Sequence, residues 1–187
     1  MARWEPNAPE RLSRAALELF AERGYENTTV IDIARRAGLT KSTFFRHFQD
    51  KREVLFGNGT LASVLGAAVA AAPSPVDPFE AVALGLEAMG REAFTASRRE
   101  FSVQRRAVIE AHPELREREA LKGLALTAAV VDALRERGVG ELPARVAAEL
   151  GALAMKIAYE RWSDGEVEEF GAAARVALEE VRAAVGS

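Results

Sequence analysis

Apolar positions along this chain recur every three or four residues, and no stretch sustains period-two alternation, so the pattern predicts helices almost throughout. Asn7, Pro9 and Glu10 read as a capped start. Leu12, Ala16, Leu19 and Phe20 continue it at helical spacing, and Gly24 stops it. Thr29 caps a second helix that runs through Ala37 and ends at Gly38, and Thr40 caps a third. Asp50 with Glu53 forms a capping box for a fourth helix that runs to about Ala72. The proline-rich break over residues 72–78 follows, and Asp77 with Pro78 opens the next helix. Helices over roughly 78–96, 98–111, 113–137, 143–162 and 165–185 complete an all-α chain of about nine helices with no internal repeat.

The third helix, TKSTFFRHF over residues 40–48, combines three phenylalanines with a lysine, an arginine and a histidine. A helix turns by about 100° per residue, so Phe44 and Phe48 share one face and anchor it, whereas Phe45 lies about 60° further round. Lys41, Ser42, Phe45 and Arg46 stay off the core stripe, and Thr43 and His47 form a second outward pair. Such a helix displays donors and one aromatic ring to an anionic partner.

Composition and charge narrow the classes. With 187 residues, 49% of them hydrophobic, the chain can fill one larger or two smaller cores. No apolar run reaches membrane-spanning length, the N-terminus has no signal-peptide core, and there is no cysteine, so a cytoplasmic protein without membrane contact is expected. The net charge is −3, yet residues 35–52 set Arg35, Arg36, Lys41, Arg46, Lys51 and Arg52 against Asp50 alone. A local basic patch on an acidic chain suits a reader of specific DNA better than a general polyanion binder.

Helix, glycine turn, helix over residues 29–48 is the helix-turn-helix arrangement, in which the second helix enters the major groove. From about Arg11 to Leu55 the order AALELFAERGYENTTVIDIARRAGLTKSTFFRHFQDKREVL resembles the N-terminal domain of TetR-family transcriptional regulators. That resemblance implies a DNA-binding domain over residues 1–50 and an effector-binding and dimerisation domain over 51–187. It places Lys41, Ser42 and Phe45 against base edges of double-stranded operator DNA and Thr29, Thr43, His47 and Lys51 against phosphates, with Arg46 as a further contact. The family commonly has tyrosine where this chain has Phe45, which removes a hydroxyl able to reach a phosphate. Read from the residues alone, His47 is also compatible with a solvated surface position, Phe45 with packing under the first helix, and Arg35 and Arg36 with solvated charge.

Rival classes have less support. His47 and His112 are far apart, with no metal-ligand spacing, thiol or phosphate-cradling glycine loop around them, so no metal, cofactor or catalytic site is expected. A helical ligand carrier would account for residues 78–185 but leave the basic helix idle. Val167, Phe170, Ala174, Ala177, Val181 and Val185 form a stripe beside Gly171, and Val146, Leu150, Leu153 and Ile157 form another. The stripes alone favour an intrachain core. The family resemblance favours a homodimer through the last two helices, as a palindromic operator requires.

The resemblance also implies a small-molecule effector that releases the repressor from DNA. Residues 99–119 are weakly similar to regulators of the mycofactocin-regulator type, which implies a long-chain acyl-CoA. Phe94, Phe101 and Val108 would then line an apolar pocket, with Arg105 and Arg106 holding the head group; ion pairing to Glu114, Glu117 or Glu119 is the plainer role for those arginines. Gly57-Asn58-Gly59, inside the fourth predicted helix, is expected to act as a hinge or to mark a plain break.

Overall fold

The computed structural model describes residues 7–57 and 60–186, and nine α-helices lie among them. In order these are α1 (Ala8–Arg23), α2 (Val30–Arg36), α3 (Lys41–His47), α4 (Thr60–Ala70), α5 (Pro78–Ala93), α6 (Arg99–Ala111), α7 (Pro113–Glu136), α8 (Glu141–Ser163) and α9 (Phe170–Val185). The chain divides into two compact units. The first joins the N-terminal segment through residue 59 to residues 104–120; the second comprises residues 60–103 and 121–187.

In the first unit Asn7 stands at the start of α1 without a side-chain cap bond, whereas the start and stop of α2 are made by the expected groups. Thr29 accepts from the Asp32 amide while the Asp32 carboxylate accepts from the Thr29 amide, closing a reciprocal cap on α2. Gly38, at φ +66°, lets the chain leave α2 as a Schellman turn, with its own amide bonded to the Arg35 carbonyl and the Leu39 amide to the Ala34 carbonyl. Arg11 of α1 donates to the Ala37 carbonyl at 2.5 Å, tying the first helix to that turn. Leu12, Ala16, Phe20, Ile33, Phe44 and Val54 are buried together with Ile109 and Leu115 of the 104–120 segment.

Two boundaries differ from the sequence reading. The predicted helix over 50–72 is instead a 3₁₀ turn, Glu53–Leu55, followed by α4. Asp50 does accept from the Glu53 amide, but the Glu53 carboxylate pairs with Arg118, and Gly57 takes φ +64°, which an α-helix cannot continue. Gly57 thus ends the turn; Asn58 and Gly59 of the expected hinge lie outside the described residues. The last helix begins at Phe170 rather than near 165, because residues 164–169 form a linker whose Val167 and Glu168 carbonyls both accept from Arg99.

The second unit is built around small residues. Ala144, Ala147, Ala148, Ala154 and Ala158 of α8 are buried, and so are Ala173, Ala174 and Ala177 of α9, so the helices approach closely. At Gly171 a Cβ would stand 3.1 Å from the Glu87 Cα, so α9 crosses α5 nearly backbone to backbone. Arg175 straddles that crossing, bonded to Glu80 at 2.7 Å and Glu87 at 2.6 Å. The α9 stripe of Phe170, Ala174, Ala177 and Val181 is therefore buried within the chain, whereas Val185 at its end is exposed, and Gly171 serves an intrachain crossing rather than an approach between copies.

Candidate functional site

Phe44 and Phe48 are buried, while Phe45, one residue from Phe44, is 48% exposed. Two anchors hold α3 to the first unit, and their spacing rotates Lys41, Ser42, Phe45 and Arg46 outward, all of them exposed. The Thr40 hydroxyl accepts from the Thr43 amide at 3.1 Å and caps the helix. Lys41, in the first turn, lies 5.9 Å from the centroid of the Phe45 ring one turn on. A cation over an aromatic face at this spacing is weakly attractive, so the pair presents its charge and apolar edge together. Arg46 forms no ion pair among the described residues, leaving its guanidinium free for an external anion.

The remaining candidates divide. Thr29 is exposed at the start of α2, with its hydroxyl bonded to Asp32 at 2.6 Å, and that bond is the chief reason the Asp32 carboxyl is held below its ordinary range. Thr43 and His47 are half-buried rather than fully outward. Lys51 donates to the Tyr25 carbonyl and covers the Tyr25 ring. Arg36 is engaged with Glu18 and Glu22, and Arg52 with Asp50, so the basic run is narrower than its composition suggests. Asp50 is two residues from Arg52, but the Arg36 pairings reach back 14 and 18 residues to α1, and charge counting within the run could not reveal them.

The expected effector residues divide between the two units, Phe94 and Phe101 in the second and Arg105, Arg106 and Val108 in the first. Phe94 stacks on Phe170 at 4.2 Å and meets Trp162 and Tyr159 edge-on within the second unit. Phe101 and Val108 are half-buried. Arg105 belongs to the first unit, where it donates to the Leu55 carbonyl at 2.6 Å, pairs with Glu119 at 3.0 Å and covers the Phe56 ring. Arg106 lies 3.9 Å from Glu110. Sequence reading passed over Trp162 and Tyr159, whose only signal was their aromatic character three residues apart on the core face of α8. Among the described residues no group of three or more histidines or carboxylates is placed to hold a metal, and no helix is long and apolar enough to cross a membrane.

The outer face of α8 carries a second apolar stripe. Leu142, Val146 and Leu153 are exposed, Leu150 and Ile157 are half-buried, and their spacing of four, four, three and four keeps them on one side. On α9 the exposed Ala172, Val176 and Ala183 likewise face away from the core.

The family model for bacterial regulatory proteins of the tetR family matches residues 12–56. A 74-residue stretch is 40% identical to the HTH-type transcriptional regulator TcmR of Streptomyces glaucescens, covering 39% of this chain and 33% of that one. A 58-residue stretch is 36% identical to MftR of Mycobacterium tuberculosis, a regulator assigned to mycofactocin biosynthesis, covering 31% and 29%. These matches span about a third of each relative's length. Solved structures extend the likeness to the fold of nearly the whole chain. A complex of triclosan with SmeT, from Stenotrophomonas maltophilia, aligns at TM-score 0.62 and 18% identity over 95% of this chain and 90% of the other. A TetR-family regulator from Mesorhizobium loti aligns at 0.55 and 21% over 95% and 96%.

Proposed function

We propose that this chain, a member of the TetR family of bacterial regulatory proteins, is a dimeric repressor that binds a palindromic operator and leaves it when a small molecule occupies the second unit. The observation that carries the reading is α3 itself: a capped helix held by Phe44 and Phe48, with Lys41, Ser42, Phe45 and Arg46 exposed on its free side. Lysine in that position donates to guanine O6 and N7, and an aromatic edge meets a thymine methyl, so the helix has the chemistry for direct readout. Thr29, Thr43, His47 and Lys51 serve as phosphate contacts around it. As a DNA binder the protein works in the cytoplasm.

Two recognition helices must be set at a fixed spacing to read two half-sites, which requires a second copy. The outward stripes of α8 and α9 are the surface for it, because the inward α9 stripe is already covered. For the effector, the second unit supplies an apolar, aromatic interior. Arg105 is already committed to Leu55 and Glu119, which favours a smaller ligand over a long-chain acyl-CoA held by its head group.

Selection of bound fragments from genomic DNA, followed by footprinting at several salt concentrations, tests the reading. A two-fold symmetric footprint whose affinity falls steeply with salt is expected. Binding without sequence preference would refute it.

A further inference from the structure

Trp162 is completely buried, and its indole Nε1 has no hydrogen-bond partner. The guanidinium of Arg99 lies against it, with Cζ 5.4 Å from the ring centroid, and the Arg99 Nε is also buried without a partner. The other end of that guanidinium is occupied: Nη2 donates to the Val167 carbonyl at 2.9 Å and to the Glu168 carbonyl at 3.0 Å. No carboxylate pairs with Arg99 among the described residues. Two buried N–H groups without a partner, on residues in ring contact, form an arrangement that native structures ordinarily avoid.

The surroundings limit what can fill it. Phe94 meets Trp162 edge-on at 5.6 Å and Tyr159 at 5.7 Å, and the Tyr159 hydroxyl is already spent on the Ser102 carbonyl at 3.0 Å. The junction therefore offers two N–H donors, one positive charge and aromatic walls, and the described contacts leave it no free acceptor. A carboxylate suits these features: its oxygens accept from N–H donors, its charge balances a guanidinium, and an apolar body attached to it is compatible with aromatic surroundings.

We propose that the junction of Arg99 and Trp162 is a binding site for the carboxylate of a small aromatic or aliphatic acid, and that such acids are the effector class. The proposal rests on the reading that the second unit takes an effector, and it adds which chemistry is recognised and by which residues. An acid bound here would hold the 164–169 linker, which Arg99 already grips, and the first turn of α6 in one arrangement.

The chain has two tryptophans, so Trp4→Phe leaves Trp162 as the sole indole reporter. In that background the full-length protein is titrated, without DNA, with phenylacetate and octanoate and with the matching neutral alcohols, 2-phenylethanol and octan-1-ol. At least one acid should quench Trp162 and bind about tenfold or more tightly than its alcohol, a charge-assisted preference. Calorimetry should show that advantage lost in Arg99→Gln and Trp162→Phe, and Arg99→Lys, which retains the charge without the fork, should keep only part of it. Acids that bind no better than alcohols, or equally well to folded Arg99→Gln and Trp162→Phe, would overturn the proposal. So would a crystal grown with the acid that shows only a water between the two donors. Operator release is measured separately: acid binding without specific DNA binding would remove the repressor reading and leave the site, and the converse would remove the site alone.

Discussion

The Lys51 ammonium donates to the Tyr25 carbonyl across 2.8 Å and lies 3.9 Å from the centroid of the same residue's ring. One cation thus fastens the loop after α1 to the segment after α3. A hydrogen bond from a charged donor contributes about 1.5–3 kcal/mol and a cation over an aromatic face about 0.5–2 kcal/mol, with overlap between them. Lys51→Ala should lower unfolding stability by about 1–3 kcal/mol in denaturant titrations and weaken operator and random DNA alike. Unchanged stability would mean that this contact is not maintained in solution.

Tyr25 provides a pH test. Burial pushes its phenol from 10.0 up to about 12, with the charge of Glu114 adding to the effect. The folded protein holds this proton more tightly than the unfolded chain, so the contribution is complete below pH 10 and is lost as pH rises from about 10 to about 12. Unfolding measured across that window should show a fall in stability that Tyr25→Phe reduces, and the difference in tyrosinate absorbance between the parent and Tyr25→Phe should report the ionisation of Tyr25.

Lys41 and Phe45 should act as a pair on the operator. Lys41→Ala is expected to weaken specific binding by about 1–3 kcal/mol and relax preference at one position per half-site. Phe45→Tyr restores a hydroxyl and should strengthen binding to all sequences through a phosphate. Binding titrations against a library with every half-site position varied would show both effects; a Lys41→Ala profile that matches the parent would end its assignment to base readout.

The helices were legible in the sequence because their signals are local: Thr29, Thr40 and Asp77 cap where they stand, and Gly38 turns the chain where it stands. The outward set of α3 was equally legible, since the spacing of Phe44 and Phe48 fixes the rotation of every other side chain. What could not be read depends on partners remote in sequence. Glu119 was among the partners the sequence offered Arg105, but the Leu55 carbonyl, 50 residues away, was not; and although the α9 stripe read by itself as intrachain core, nothing local showed that Glu87, 84 positions before Gly171, stands against it. Helical periodicity says which side is apolar, and only the packed chain says what already covers it.

Gly57 bears on the hinge. At φ +64° with open space where a Cβ would project, Gly57→Ala meets no neighbour and bears only the backbone penalty, about 1–2 kcal/mol. Denaturant unfolding should show that loss. If the turn also moves when effector binds, operator affinity without effector should stay within about twofold while release needs more effector, since the strained residue shifts the balance between arrangements. A stability loss with unaltered release would make Gly57 a plain break.

The two faces of α8 and α9 separate folding from assembly. Val146 and Leu153 are exposed, so a glutamate at either place costs the isolated chain little and leaves its secondary structure intact. Buried between two copies it would be an uncompensated charge, which an interface core does not tolerate. Val146→Glu and Leu153→Glu should therefore give folded monomers in sedimentation experiments, with operator affinity reduced far more than binding to a single half-site. Phe170→Ala offers the opposite test, because that ring is packed against Phe94 inside the chain; its loss should cost about 3–5 kcal/mol of stability without specifically separating subunits. Dimers that persist in both glutamate variants would move the interface elsewhere and leave the outer α8 stripe as ordinary exposed surface.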